Sequence, residues 1–119
     1  MIALALLLAA AEPAPPPDCL KDQEEVTGEL LWVETRRPGS KADLRFPVLV
    51  LPQTRCVVIG TTWSAGRWVQ LALSKQEIKG LVAGTKLTVK ANYIVPPGGT
   101  LQIGDILAMD AVIVSKTTP

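Results

Sequence analysis

Residues 68–93, WVQLALSKQEIKGLVAGTKLTVKANY, place a short helix between two strands. The first six residues alternate apolar and polar side chains, as a half-buried strand does. Ser74-Lys75-Gln76-Glu77 has the S-x-x-E spacing of a capping box, which predicts a helix from Lys75 to about Val82, with Gly84 as its C-terminal cap. The alternation then resumes and predicts another strand from Lys86 to Val95.

Further strands are predicted on both sides of this segment. They are Val26–Thr35, Leu44–Leu51 and Ile103–Val114. Arg55–Ile59 either continues the strand Leu44–Leu51 or forms a short neighbouring strand. Gly28 inside the first strand indicates a bulge or a close approach of two backbones. The order strand, strand, strand, helix, strand, strand predicts an all-β fold with one short helix, a five-stranded barrel of the oligonucleotide/oligosaccharide-binding (OB) type. An immunoglobulin-like sandwich is disfavoured, because it needs about seven strands.

The N-terminus has the features of an export signal. Residues 1–11, MIALALLLAAA, are apolar, too short to span a bilayer, and end in an A-x-A cleavage site. A signal peptide normally begins with a positively charged region, but no Lys or Arg precedes this apolar run. The position of the true start site is therefore left open. Residues 12–17, EPAPPP, form an extended spacer, and the OB-like domain is predicted over residues 18–116. We therefore expect a periplasmic or secreted protein with no stable membrane span after signal removal.

The two cysteines, Cys19 and Cys56, fit an oxidising compartment. We favour a disulfide between them, which in the chain-entropy model stabilises the fold by roughly 3–4 kcal/mol. The alternative is a lipidated Cys19, although Pro17-Asp18 is a poor approach to a lipidation site. A reactive thiol is disfavoured because the chain has neither C-x-x-C spacing nor a histidine to activate one.

A set of glycine and aliphatic markers spans residues 18–114. The markers are Cys19-Leu20, Val26-x-Gly28-x-Leu30, Pro38-Gly39, Arg55-Cys56-Val57, Val69-x-Leu71-x-Leu73 and Leu81-x-x-Gly84-x-x-Leu87-x-Val89. Their spacing resembles a domain of unknown function found in small exported bacterial proteins. The resemblance implies an exported OB-like barrel with a Cys–Cys bridge and no established activity. Members of that family often carry histidines where this chain has residues 96–100, PPGGT, so no metal role carries over.

Composition excludes several kinds of chemistry. The 119-residue chain has no histidine, which removes imidazole-based catalysis and imidazole metal sites. Its net charge is only +1, but residues 18–34 are mainly acidic and residues 36–90 mainly basic. The basic half could form a groove for an anionic polymer, with tryptophans as stacking platforms. We favour instead that the two regions neutralise each other across neighbouring strands, and we expect no nucleic-acid partner.

Weak candidates for ligand binding are aromatic and basic. Trp63 is placed first, in a polar loop over Thr61–Gly66, and is followed by Trp68, Trp32 and Arg67. No catalytic residue, metal or cofactor is expected. The sequence predicts a non-enzymatic binding or interaction module of the cell envelope, with an unknown envelope component or protein as partner. The alternative is a cell-wall polysaccharide hydrolase or inhibitor, which needs two convergent carboxylates such as Glu24 with Glu25. The pair Glu29 and Glu34 is disfavoured for this role, because alternation along a strand places the two side chains on opposite faces.

Overall fold

The computed structural model describes residues 18–36, 43–97 and 104–119. The structure is mostly β with one short helix, in the predicted order. The signal peptide and the spacer predicted over residues 1–17 lie outside the described residues, as does Ile103. The elements are β1 Glu25–Arg36, β2 Asp43–Ile59, β3 Thr62–Leu71, α1 Lys75–Ile78, β4 Lys86–Ile94 and β5 Ile106–Thr117.

The five strands form one ring-shaped sheet. Neighbouring strands hydrogen-bond in the order β1-β2-β3-β5-β4, and β1 pairs with β4 to close the ring. All pairs are antiparallel except β3 with β5, which are parallel over Val69–Leu71 and Ile106–Ala108. Parallel pairing requires a crossover between the two strands. That crossover contains α1 and β4.

The interior of the ring is filled by aliphatic side chains. Leu20, from the segment before β1, joins this core and is only 7% exposed. Gly28 of β1 is a close-approach point, as predicted, because a Cβ added there would lie 2.6 Å from the carbonyl oxygen of Val50. The strand residues of the core are Val26, Leu30, Leu49, Leu51, Val57, Val69, Leu71, Leu87, Val89, Ala91, Tyr93, Ile106, Ala108 and Ala111.

The hairpin between β2 and β3 corrects one sequence prediction and decides between the two alternatives left open for Arg55–Ile59. β3 begins at Thr62, so the loop predicted over Thr61–Gly66 is wrong and Trp63 lies in a strand. β2 continues through residues 52–54, where its register against β3 shifts between Val50 and Arg55. The small, polar residues of early β3 show little alternation, but pairing with β2 supplies their backbone hydrogen-bond partners.

The helix α1 is shorter than predicted. The hydroxyl of Ser74 accepts a hydrogen bond from the Glu77 amide at 3.2 Å, which confirms the predicted N-cap. The helix ends at Ile78 rather than near Val82, because Gly80 takes a φ of +84°, which a right-handed helix does not allow. The Glu77 carboxylate also accepts a hydrogen bond from the Ile113 amide at 3.2 Å and so ties α1 to β5.

Across residues 18–36, 43–97 and 104–119, no helix is both long and apolar enough to cross a membrane.

Candidate functional site

A disulfide joins Cys19 to Cys56, as predicted, and closes a separation of 37 residues. The Leu20 amide donates to the Cys56 carbonyl at 2.8 Å, so the entering chain is held against β2 by a covalent and a hydrogen bond. Because its sulfur is bonded to Cys56, Cys19 cannot also carry a thioether-linked lipid. The lipidation alternative is therefore excluded for the oxidised protein.

A polar cluster surrounds this junction. The Arg55 guanidinium donates to the Glu24 carboxylate at 2.8 Å, and this hydrogen bond holds the pKa of Glu24 below its ordinary value of 4.5. The Tyr93 hydroxyl donates to the Glu24 carbonyl at 2.5 Å. Burial raises the pKa of Tyr93 to about 12, and the nearby Glu24 charge adds to that rise. Each contact fixes residues 18–24 to the ring, so the cluster has a structural role.

The carboxylates of β1 lie opposite basic residues. In the register, Glu25 faces Lys90 and Glu29 faces Lys86 on β4. Glu34 faces Arg45 on β2, with 3.4 Å between the Arg45 Nε and a Glu34 oxygen. Opposite charges on directly paired residues stabilise a sheet modestly. The acidic and basic regions of the sequence thus neutralise each other across neighbouring strands, as we favoured.

A polar cleft of about 210 Å³ lies between β1 and the irregular part of β2. Its walls include Glu25, Thr27, Gln53 and Arg55. The Arg55 guanidinium already binds the Glu24 carboxylate, and it lies 3.4 Å from the Asp18 carbonyl. The cation that lines the cleft is therefore compensated, and the cleft offers no free charge for an anionic ligand.

The three tryptophans do not share one face. Trp68 of β3 pairs with Val50 of β2, and Val50 pairs with Glu29 of β1, so these three residues share one face of the sheet. Trp32 is three positions beyond Glu29 on β1. Trp63 is five positions from Trp68 on β3. Since side chains alternate along a strand, both odd separations place Trp32 and Trp63 on the face opposite to Trp68. A stacking platform built from all three is not formed.

Trp32 and Trp63 are also far apart. Trp32 pairs with Pro47 on β2, whereas Trp63 pairs with Val58, at the other end of the same strand. Trp32 packs against the core, and its indole N–H donates to the Leu81 carbonyl at 3.2 Å. The Arg45 guanidinium lies 4.6 Å from the centre of the Trp32 ring. These contacts anchor Trp32 within the fold.

Arg67 and the backbone of Trp68 also make contacts within the fold. The Arg67 Nε donates to the Leu51 carbonyl at 2.7 Å, across the register shift of β2. The Trp68 amide donates to the Asp105 carboxylate at 3.2 Å, and the Asp105 amide donates back to the Trp68 carbonyl at 2.8 Å. These bonds join β3 to its neighbours, although Trp68 as a whole residue remains 38% exposed.

The tip of the β2–β3 hairpin carries exposed apolar side chains. Ile59 is 52% exposed and Val58 is 40% exposed, and Val58 pairs directly with the partly exposed Trp63. We call these three residues the hairpin surface. Residues 56–66, CVVIGTTWSAG, contain no charged side chain. The sequence drew attention to Trp63 but not to Val58 and Ile59, because a short apolar run in a strand predicts burial.

The exposed apolar residues of β5 have charged neighbours. Val112 of β5 is 56% exposed and pairs with Lys90 of β4, and Asp110 and Lys116 lie in the same strand. Single exposed apolar residues among charges are normal on soluble proteins. Val82 is 57% exposed in the uncharged segment 80–85, but it is the one exposed large apolar residue of that segment. The hairpin surface differs because two consecutive exposed aliphatic residues and a partly exposed tryptophan lie together in an uncharged sequence. It is the candidate interaction site.

Comparisons with known proteins do not assign a family. No family model matches the chain, and neither a curated protein nor a solved structure matches it. What is established is a small, mostly β chain with a five-stranded ring-shaped sheet and a Cys19–Cys56 disulfide.

Proposed function

We propose that the ring-shaped sheet is an OB-like barrel spanning residues 18–116. Three features support this assignment: the strand order β1-β2-β3-β5-β4, the parallel pairing of β3 with β5, and a helix between β3 and β4. A five-stranded barrel with a Greek-key connection is the OB arrangement. The similarity to a domain of unknown function in small exported bacterial proteins belongs to the same proposal.

We further propose that the protein is exported to the periplasm or beyond and acts as a non-enzymatic module that binds an envelope component. The observation that carries this proposal is the hairpin surface, where Val58 and Ile59 are exposed at the uncharged tip of the hairpin. The disulfide supports export, because such bonds persist in oxidising compartments. The apolar N-terminal sequence supports it independently.

The arrangement of titratable groups favours binding over catalysis. Glu24 and Tyr93 are described residues with shifted pKa values, and both act in holding residues 18–24 to the ring. A polysaccharide hydrolase would need two carboxylates converging on one site. Glu25, Glu29 and Glu34 instead lie opposite separate basic residues along β1, which disfavours that alternative.

Ile59→Ser tests the proposed function, and Val112→Ser is its matched control. The two side chains are 52% and 56% exposed, so neither change should affect folding. We expect Ile59→Ser to reduce retention in the washed envelope fraction about tenfold, because one lost aliphatic contact is worth about 1.5 kcal/mol or more. Val112→Ser should be retained like the unmodified protein. Equal retention of all three proteins would contradict the proposed binding role of the hairpin.

A further inference from the structure

We infer that the hairpin surface inserts into a lipid bilayer, so that the envelope component is the membrane surface itself. This inference rests on the proposed function and adds the chemical class of the partner. It depends on the shape of the hairpin tip and on its lack of charge.

The tip is apolar on both faces. Val58 and Trp63 are directly paired and share one face of the hairpin, while Ile59, one residue along, points to the other. A partner protein that packs against a sheet covers one face of it. A lipid phase surrounds an inserted tip and contacts both faces, so the distribution of apolar residues favours lipid.

The tip is narrow as well as apolar. Ile59 pairs with Thr62, so only Gly60 and Thr61 form the turn. A convex tip of this kind needs a matching concave pocket on a protein partner. Fluid lipid needs no such pocket, because its acyl chains rearrange around the inserted side chains.

The residue types also fit an interface between water and lipid. Residues 56–66 contain no charged side chain that insertion would have to desolvate. Tryptophan is enriched at membrane interfaces, where its apolar ring and its polar N–H are both accommodated. Trp63 pairs with Val58 and is one residue further from the turn than Thr62, the partner of Ile59. In an inserted tip the indole would therefore lie nearer to the lipid headgroups, and Ile59 would lie deeper.

Charge has little part in the inferred contact. Residues 56–66 are uncharged, Arg55 is paired with Glu24, Arg67 donates to the Leu51 carbonyl, and the chain carries +1 overall. Binding to vesicles of neutral phosphatidylcholine should therefore equal binding to vesicles that contain anionic lipid, and added salt should not weaken it. A basic membrane-binding patch would give the opposite result in both comparisons.

The test uses an environment-sensitive dye attached to Ile59→Cys, with Val112→Cys as the matched control. Both native cysteines are in the disulfide, so the new thiol is the one labelled. The full chain, recovered after export, is mixed with phosphatidylcholine vesicles. We expect dye fluorescence at position 59 to rise at least about twofold with a blue shift, as an apolar environment requires, and that at position 112 to stay unchanged. This contrast holds whether or not the apolar N-terminus is retained.

Three outcomes would overturn the inference: no fluorescence change at position 59, an equal change at both positions, or a change that requires anionic lipid. Failure here remains distinguishable from failure of the proposed function. If Ile59→Ser loses envelope retention while vesicles leave the dye unchanged, the binding role stands and the lipid assignment is wrong. Retention that protease treatment of the envelope abolishes would indicate a protein partner instead.

Discussion

Tyr93 is the chain's single tyrosine, so its ionisation can be followed directly by tyrosinate absorbance. Burial raises the pKa of its phenol to about 12, and the hydroxyl donates to the Glu24 carbonyl. We predict that the folded protein titrates near pH 12 and the urea-unfolded protein near the ordinary value of 10. A single transition near pH 10 in the folded protein would show that the phenol is exposed.

The same shift makes folding stability depend on pH. The folded state holds the Tyr93 proton more tightly than the unfolded state, so its contribution is fully present below pH 10 and is lost as the pH rises toward 12. In Tyr93→Phe this alkaline loss should be smaller, as measured by urea unfolding at several pH values. Tyr93→Phe removes only the hydroxyl and keeps every lysine. The difference between the two proteins therefore reports the ionisation of Tyr93 alone.

Among the elements, the β2–β3 hairpin depends on Gly60. This residue has a φ of +61° in a two-residue turn, and a Cβ there would meet no atom within 4 Å. Backbone conformation alone therefore sets the cost of substitution. We predict that Gly60→Ala lowers the free energy of unfolding by about 1 kcal/mol. Gly60→Asn should lose less, because Asn tolerates this region.

Urea unfolding of the two variants measures this difference. Equal losses in Gly60→Ala and Gly60→Asn would show that the left-handed turn is not required. The experiment also separates turn stability from membrane binding, because neither change removes a side chain of the hairpin surface.

Local sequence signals predicted some elements better than others. Ser74 and Glu77 are close in sequence and cap α1 as their spacing predicts. Early β3 was missed because its order comes from pairing with β2. Thr62–Gly66 lacks the alternation of a typical strand, and Thr62 is its one β-branched residue. The length of α1 was overestimated because Ile78, Leu81 and Val82 have helical spacing although Gly80 interrupts the helix.

The candidate site was predicted only in part. Trp63 was identified from its residue type and from a predicted polar loop, although the structure places it in β3. Its neighbours Val58 and Ile59 were predicted only as strand residues, because sequence periodicity does not show that the hairpin extends beyond the pairing of β3 with β5. The structure shows which apolar side chains are exposed.

For the whole molecule, the Cys19–Cys56 bond should be a major source of stability. It closes a loop of 37 residues and holds Leu20 in the core. We predict that the double variant Cys19→Ser/Cys56→Ser loses roughly 3–4 kcal/mol of unfolding free energy, measured with urea. A loss below about 1 kcal/mol would show that the contacts of Glu24 and Tyr93 hold the N-terminal segment without the covalent bond.

We propose that the molecule is exported and contacts the envelope through the tip of its β2–β3 hairpin. The most direct measurement places a photo-crosslinking residue at position 59 or at position 112 in living cells, since the native side chains there are similarly exposed. We predict crosslinks to envelope material, lipid included, from position 59 and few from position 112. Crosslinks that are equal at the two positions, or stronger at 112, would contradict the account.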